Sequence, residues 1–437
     1  MRAKNSRAVS VTDRRDVPAA AVASGFVAPF ALTTALFFLW GVANNLNDIL
    51  IAHFKTVFTL SDFGTGLVQS AFYLGYFCLA MPAALFMRAQ GYRAAVILGL
   101  VLYGIGALLF WPAAAMISYP FFLCALFVIA AGLAFLETSA NPLVSRLGAE
   151  HSASQRLSFA QAFNPLGSIA GVLIGRAFIL SAPDATRTIA AGSSTAAVAA
   201  YRAGEAASVQ VPYLVIGLVV FAWALLIRMV PFPEVATARD TGTGAGSANA
   251  LVTILRSRRL RFGVIAQFFY VGAQVGVWSF LIRYVQVALP GSSARAGATY
   301  LTASLVLFML GRFAGAAVMA RVRPLSLLAI AAAINVLLCL VATSLGGKIG
   351  VIALVVSSFF MSVMYPTIFA ETVAGLGEHT KLASAVLVMA IIGGASFPAL
   401  MGFVSDRSGS IGLAMLLPGI CFIVVLTFGL VVSRSSR

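Results

Sequence analysis

The stretch Leu136-Glu137-Thr138-Ser139-Ala140-Asn141-Pro142, running on to Leu147-Gly148-Ala149-Glu150-His151, decides the architecture because its outline occurs twice. The echo is Tyr365-Pro366 followed by Leu376-Gly377-Glu378-His379, about half of the 437-residue chain further on. Each copy places a proline towards the end of an apolar run and leaves that run through a Leu-Gly and Glu-His exit. The glycines of the following run, Gly167 and Gly175, find counterparts at the same displacement in Gly394 and Gly402. A repeat at half the chain length predicts two halves of like construction.

What surrounds the two copies is overwhelmingly apolar. Of the chain, 61% is hydrophobic and only 10% charged, against roughly a quarter charged in an ordinary globular domain. A soluble core of this size could not hide that much apolar surface, and a disordered chain has the opposite composition. The remaining class is a membrane protein crossed many times by helices, since a span needs roughly 20 apolar residues. Twelve such runs are found, near 26–51, 63–87, 94–113, 119–143, 156–180 and 211–230, then 261–287, 297–320, 324–344, 349–370, 382–404 and 412–433. No alternation of the barrel kind accompanies them. The first run is too long for a signal peptide and lacks its cleavage site, so it is expected to be retained.

The basic residues fix an expected topology. With both termini in the cytoplasm, twenty Lys and Arg fall on the inside, and the outer loops hold only Lys55, Arg187, Arg202, Arg295, Lys348 and Arg407. That is the positive-inside pattern. It accounts for the net charge of +16 without nucleic acid, and anionic lipid headgroups are the expected partners of the basic side. The divisions that follow are a tail 1–25, a six-helix half 26–230, a cytoplasmic loop 231–259, a second six-helix half 260–433 and a tail 434–437. The loop opens on Pro231-Phe232-Pro233 and contains Thr241-Gly242-Thr243-Gly244, as a linker should. Parallel six-helix repeats of this kind are the mark of the major facilitator fold, whose substrate site lies midway between two rocking halves.

Polar groups at membrane depth carry the information about function, because a charge at a helix centre costs about 2.5–3.5 kcal/mol and so faces a cavity or a partner. Two acids lie within spans, Asp48 and Glu137. Asp48 closes Asn44-Asn45-Leu46-Asn47-Asp48, with Asn44 and Asn45 one turn away on its face. A carboxylate beside amides, each of which donates and accepts, suits a polyhydroxylated ligand. Glu137 has Asn141 one turn on, and Pro142 frees the carbonyl near Thr138. Further stripes are Gln69, Tyr73 and Tyr76; Gln161, Asn164 and Ser168; Gln267, Gln274 and Trp278; and Tyr365 beside Pro366. Amides for hydroxyls and aromatic faces for sugar C–H groups together describe a monosaccharide site. Each stripe alone reads equally well as helix packing. Arg283 is placed to snorkel at the outer end of its span, and Arg312 either partners an acid or packs at Gly311.

Other chemistries find no support. There is no Walker-type glycine loop for ATP, no nucleophile–base constellation and no metal-ligand cluster, so neither enzyme activity nor a cofactor is expected. His53, His151 and His379 read as loop residues. Cys78, Cys124, Cys339 and Cys421 all lie in apolar runs and read as small core residues.

Phe37-Phe38-Leu39-Trp40-Gly41-Val42-Ala43-Asn44-Asn45-Leu46-Asn47-Asp48-Ile49-Leu50 resembles the first-span signature of bacterial L-fucose:proton symporters, within the fucose–galactose–glucose:proton symporter family of the major facilitator superfamily. Leu136-Glu137-Thr138, Asn141-Pro142, Ala160-Gln161-Ala162-Phe163-Asn164, Tyr270-Val271-Gly272-Ala273-Gln274, Trp278-Ser279 and Tyr365-Pro366-Thr367 extend the likeness from about residue 30 to the last span. The resemblance implies sugar uptake driven by an inward proton gradient, with the proton as coupling ion, in the inner membrane of a bacterium and as a monomer. It implies that Asp48 and Glu137 couple the proton and that Asn45, Gln161 and Asn164 line the sugar cavity. Glu137 favours the fucose branch, since glucose and galactose members tend to carry Gln there. Pro165 departs from the fucose pattern, which has Ser, and is expected to turn the fifth span. Another hexose or an amino sugar is the alternative substrate. A non-transporting sugar sensor is the alternative from a different class, disfavoured by tails too short for a signalling domain.

Overall fold

The computed structural model describes residues 26–57, 62–174, 204, 207–237, 254–292 and 294–435, with backbone alone over 44–57 and 62–71 and at 172, 235–236, 294–295, 378 and 434–435. All regular structure among these residues is helical. Ten described helices are long and apolar enough to cross a membrane, and Val27–Ala43 is a shorter apolar one. The first half contains α1 (Val27–Val57), α2 (Asp62–Gln90), α3 (Tyr92–Leu108) with its continuation α4 (Phe110–Ala115), α5 (Tyr119–Arg146), α6 (Ala153–Gln161), α7 (Phe163–Ile174) and α8 (Gln210–Met229). The second contains α9 (Arg258–Ala288), α10 (Ala294–Val318), α11 (Pro324–Ser344), α12 (Gly347–Met361), α13 (Met364–Val373), α14 (Thr380–Met389), α15 (Gly393–Ser408) and, last, α16 (Leu416–Ser435).

The repeat seen in sequence is also a repeat of helix contacts. In the first half α1 packs along α7, and in the second α9 packs along α15. At the first crossing Gly167 lies so close to α1 that a Cβ would sit 1.9 Å from the Phe38 carbonyl oxygen. At the second, a Cβ on Gly393 would sit 2.1 Å from that of Phe268. Small residues are what allow membrane helices to approach at backbone distance.

Four spans expected to be continuous are interrupted for one or two residues, the third at Leu109 and the twelfth at Met415 as well as the fifth and the tenth. The fifth divides at Ala162 into α6 and α7, three residues before Pro165. The tenth divides at Ser362 and Val363 into α12 and α13, ahead of Pro366. Proline removes the hydrogen bond to the carbonyl four residues back and its ring crowds that carbonyl, so a break there is the expected response. The eleventh span also changes at the position equivalent to Ala162, through a 3-10 turn over Ala390–Ile392. By contrast α5 runs through Pro142 unbroken for 28 residues.

The helix ends that carry Arg88, Arg93, Arg146, Arg259 and Arg321 form one face, the arginine-rich end, which the positive-inside rule assigns to the cytoplasm. The halves meet there. The α6 helix packs on α10 and α13, and α14 packs on α2 and α5. Ser154 donates to a Glu371 carboxylate oxygen at 3.2 Å, the Gly375 amide donates to Glu150 at 3.0 Å, and Arg259 closes an ion pair with Glu371 at 3.3 Å.

The surface around the bundle is apolar, with Leu218, Met229, Leu337 and Phe403 among the most exposed side chains. This corrects the reading of the cysteines. Cys339 and Cys421 are buried, but Cys78 and Cys124 are exposed on the outer face. In a bilayer an apolar residue has no reason to prefer the protein core to the lipid, so position in an apolar run does not predict burial.

Candidate functional site

Near the middle of the molecule, four helices bring polar side chains to one place. Glu137 is 4% exposed on α5, and its carboxylate accepts a hydrogen bond from the Tyr365 hydroxyl of α13, across the division between the halves. One turn along α5, Asn141 Nδ2 donates to the Glu137 carbonyl at 3.0 Å. Its Oδ1 accepts from Gln161 Nε2 of α6 at 2.9 Å. Gln161 in turn accepts twice from Arg312 Nη1 of α10, at Oε1 and at its backbone carbonyl, both at 2.8 Å. Arg312 therefore faces the polar interior, and its hydrogen bonds go to Gln161. Its guanidinium also lies over the Phe308 ring, 4.7 Å from the centroid, an arrangement favoured by the ring quadrupole.

A second cluster continues the wall on the side of the second half. Trp278 donates from its indole nitrogen to Ser358 at 3.0 Å, Ser358 is hydrogen-bonded to Ser304, and Trp278 meets Phe308 edge-on with centroids 5.0 Å apart. Ser304, Phe308 and Arg312 are spaced by one turn each on α10, so a single helix face carries the hydroxyl, the ring and the cation. Tyr270 holds the Met361 carbonyl at 3.0 Å where the tenth span breaks and stands edge-on to Tyr365.

Six of the residues singled out from sequence meet in these clusters or beside them: Glu137, Asn141, Gln161, Tyr365, Trp278 and Gln274, the last half-buried one turn before Trp278 on α9. Tyr73 is half-buried on α2 and reaches across the halves, its hydroxyl 3.3 Å from where a Cβ on Gly394 would stand. Asn164 does not share a face with Gln161. The break at Ala162 separates them, and Asn164 Nδ2 instead donates to the Phe37 carbonyl of α1 at 3.2 Å. The side chains of Asn44, Asn45, Asp48 and Gln69 lie outside the described residues. Arg283 is exposed over the Phe280 ring, consistent with a snorkelling cation. Sequence reasoning missed Ser304 and Ser358, whose only local signal is a serine on an apolar face, indistinguishable from ordinary helix packing.

The buried acid is thus hydrogen-bonded between two halves of a helical bundle whose helix contacts repeat. The model of the Major Facilitator Superfamily matches residues 21–380. The chain belongs to that superfamily. It is 46% identical to the L-fucose-proton symporter of Escherichia coli (strain K12) over 92% of both chains. It is 36% identical to the glucose/galactose transporter of Brucella abortus, over 93% of this chain and 95% of the relative. Among solved structures it is similar to the major facilitator transporter FucP in the outward conformation, with a TM-score of 0.88 and 45% identity over 93% of this chain and 99% of that one. The family is one of transporters and not of enzymes, and the chain is a multi-pass membrane protein.

Proposed function

We propose that this protein is an L-fucose:proton symporter of the bacterial inner membrane that works by alternating access. The observation that carries the reading is the Glu137 carboxyl, buried at the centre and held by Tyr365 from the opposite half. A carboxyl in that position can exchange its proton with whichever side the cavity faces, and its bond to the other half ties protonation to the relative position of the halves. The 46% identity to a relative named for L-fucose and proton supplies the sugar.

In the mechanism, Asp48 and Glu137 take up protons when the cavity faces outward. Asn44, Asn45, Gln69, Asn141, Gln161 and Asn164 supply amides for the sugar hydroxyls, while Tyr73, Gln274, Trp278 and Tyr365 supply aromatic faces and a further amide. With sugar and proton both bound, the contacts at the arginine-rich end give way and the cavity opens inward. A lower proton concentration there draws the proton off, and the sugar leaves with it. The test is reconstitution in liposomes with pH recorded on both sides as single sugars are added. Alkalinisation outside with L-fucose, absent with glucose and galactose, is expected. Proton movement with galactose or glucose alone would keep symport and move the substrate; sugar binding without flux of either species would refute transport.

A further inference from the structure

Pro165 is buried on α7 and has no N–H to offer the carbonyl four residues before it, which belongs to Gln161. A buried carbonyl left open costs about 1–3 kcal/mol, and here the partner arrives from the other half of the molecule: Arg312 Nη1 at 2.8 Å. The same nitrogen donates to Gln161 Oε1. Because Oε1 is committed to a cation, Nε2 must point the other way, to Asn141 Oδ1, and Asn141 Nδ2 then meets the Glu137 carbonyl. Arg312 is 6% exposed, and both of its hydrogen bonds, from Nη1, go to Gln161.

We propose that Pro165 and Arg312 form a positioning pair. Pro165 holds the Gln161 carbonyl open as a fixed backbone acceptor. Arg312 docks on it, which fastens the second half to the first at mid-membrane and sets the orientation of the Gln161 amide towards the Glu137 helix. Opening of the arginine-rich end requires Arg312 to leave both acceptors. The backbone acceptor has no helical donor to fall back on, so the pair favours the state in which that end is closed. The proposal rests on the symport reading for its role in the cycle but not for its test.

The test uses the full chain with its four native cysteines replaced by serine and with Ser154→Cys added at the closed interface, where Ser154 is 2% exposed beside Glu371. The rate of maleimide labelling then reports opening of the arginine-rich end, read without sugar or proton gradient, so that it stands whether or not L-fucose is the substrate. Pro165→Ser restores a helical donor to the Gln161 carbonyl. It is expected to raise the labelling rate roughly tenfold, which is about 1.4 kcal/mol. Arg312→Gln is expected to raise it at least as much. Arg312→Lys, which keeps a donor for the carbonyl, is expected to stay within about threefold of the parent, the scale set by losing less than one net hydrogen bond. Pro165→Ser is expected to add nothing in the Arg312→Gln background, because the two substitutions remove one interaction. Labelling at the parental rate in Pro165→Ser while Arg312→Gln accelerates would show that Arg312 acts through the Glu137 charge alone and would overturn the pair. An equal acceleration by Pro165→Ser in both backgrounds would show that Pro165 acts only on helix packing, and would overturn it too.

Discussion

At the scale of single residues, the Glu137 carboxylate, the Asn141 amide oxygen and the Gln161 acceptors each meet a donor from a different helix. In the proposed symport, Glu137 is the acid on which coupling turns. Glu137→Gln keeps the shape and a hydrogen-bonding group but cannot exchange a proton, so uphill accumulation of sugar is expected to be lost while exchange of sugar across the membrane survives. Transport assays with and without a proton gradient separate the two; equal loss of both, at normal expression, would contradict a coupling role. Tyr365→Phe removes only the hydroxyl that bonds Glu137 and keeps the ring stacked on Phe369. A hydrogen bond to a charged group contributes about 1.5–3 kcal/mol, so proton-driven uptake is expected to fall by about tenfold or more, with folding judged intact by size-exclusion profile. Glu137 and Tyr365 were both legible in sequence, because an acid inside a span and a tyrosine against a proline are costly or conspicuous on their own. Arg312 was visible as an embedded cation, but its partner was not. Pro165 leaves the Gln161 carbonyl without an N–H four residues on, and which helix supplies a donor is a fact of tertiary packing.

At the scale of elements, the spans whose ends are described were readable to within about six residues because twenty apolar residues in a row admit one interpretation, while the expected end of the fifth, near 180, lies outside the described residues. The breaks at Ala162 and at Ser362–Val363 were foreshadowed only by Pro165 and Pro366, and Pro142 shows why the signal is incomplete: the same residue sits within an unbroken α5. Breaking the fifth span also undid an expected face, sending Asn164 to α1 and Gln161 to α10. The helix crossings give a sharper expectation. A Cβ on Gly393 would stand 2.1 Å from the Phe268 carbonyl oxygen, whereas one on Gly402 would meet only the Phe280 ring edge at 3.8 Å. Overpacking of the first kind typically costs about 1–3 kcal/mol, and the second position has room. Gly393→Ala should therefore lower the thermal unfolding midpoint in detergent clearly, and Gly402→Ala should leave it near the parental value. Equal effects would mean that the α9–α15 crossing relaxes without cost.

At the scale of the molecule, two sets of bonds hold the halves together, one at the centre and one at the arginine-rich end, and transport requires both to part. The peripheral set includes Lys381 of the second half, which lies over the Tyr92 ring of the first, 5.4 Å from its centroid. Glu371 accepts from Ser154 of the other half and pairs with Arg259 of its own, and Glu150 accepts from the Gly375 amide. Glu371→Gln removes the ion pair that holds the carboxylate in place and weakens its hold on Ser154, without adding bulk. A half-buried ion pair is worth more than a surface one but less than its Coulomb energy, because desolvation opposes it; a net loss of about 1–2 kcal/mol is the scale for a charge-assisted bond replaced by a neutral one. His151 and His379 are both exposed at this end, one on each half, and spin labels on cysteines placed there report the separation. Glu371→Gln is expected to enlarge the population with the longer distance about tenfold relative to the parent, because the substitution acts on the closed state and leaves the open one as it was. Arg259→Gln should produce a smaller change in the same direction, since Arg259 touches Glu371 from within its own half and acts only by placing it. A distance distribution unchanged by either substitution would mean that the central bonds alone decide which side of the molecule is closed.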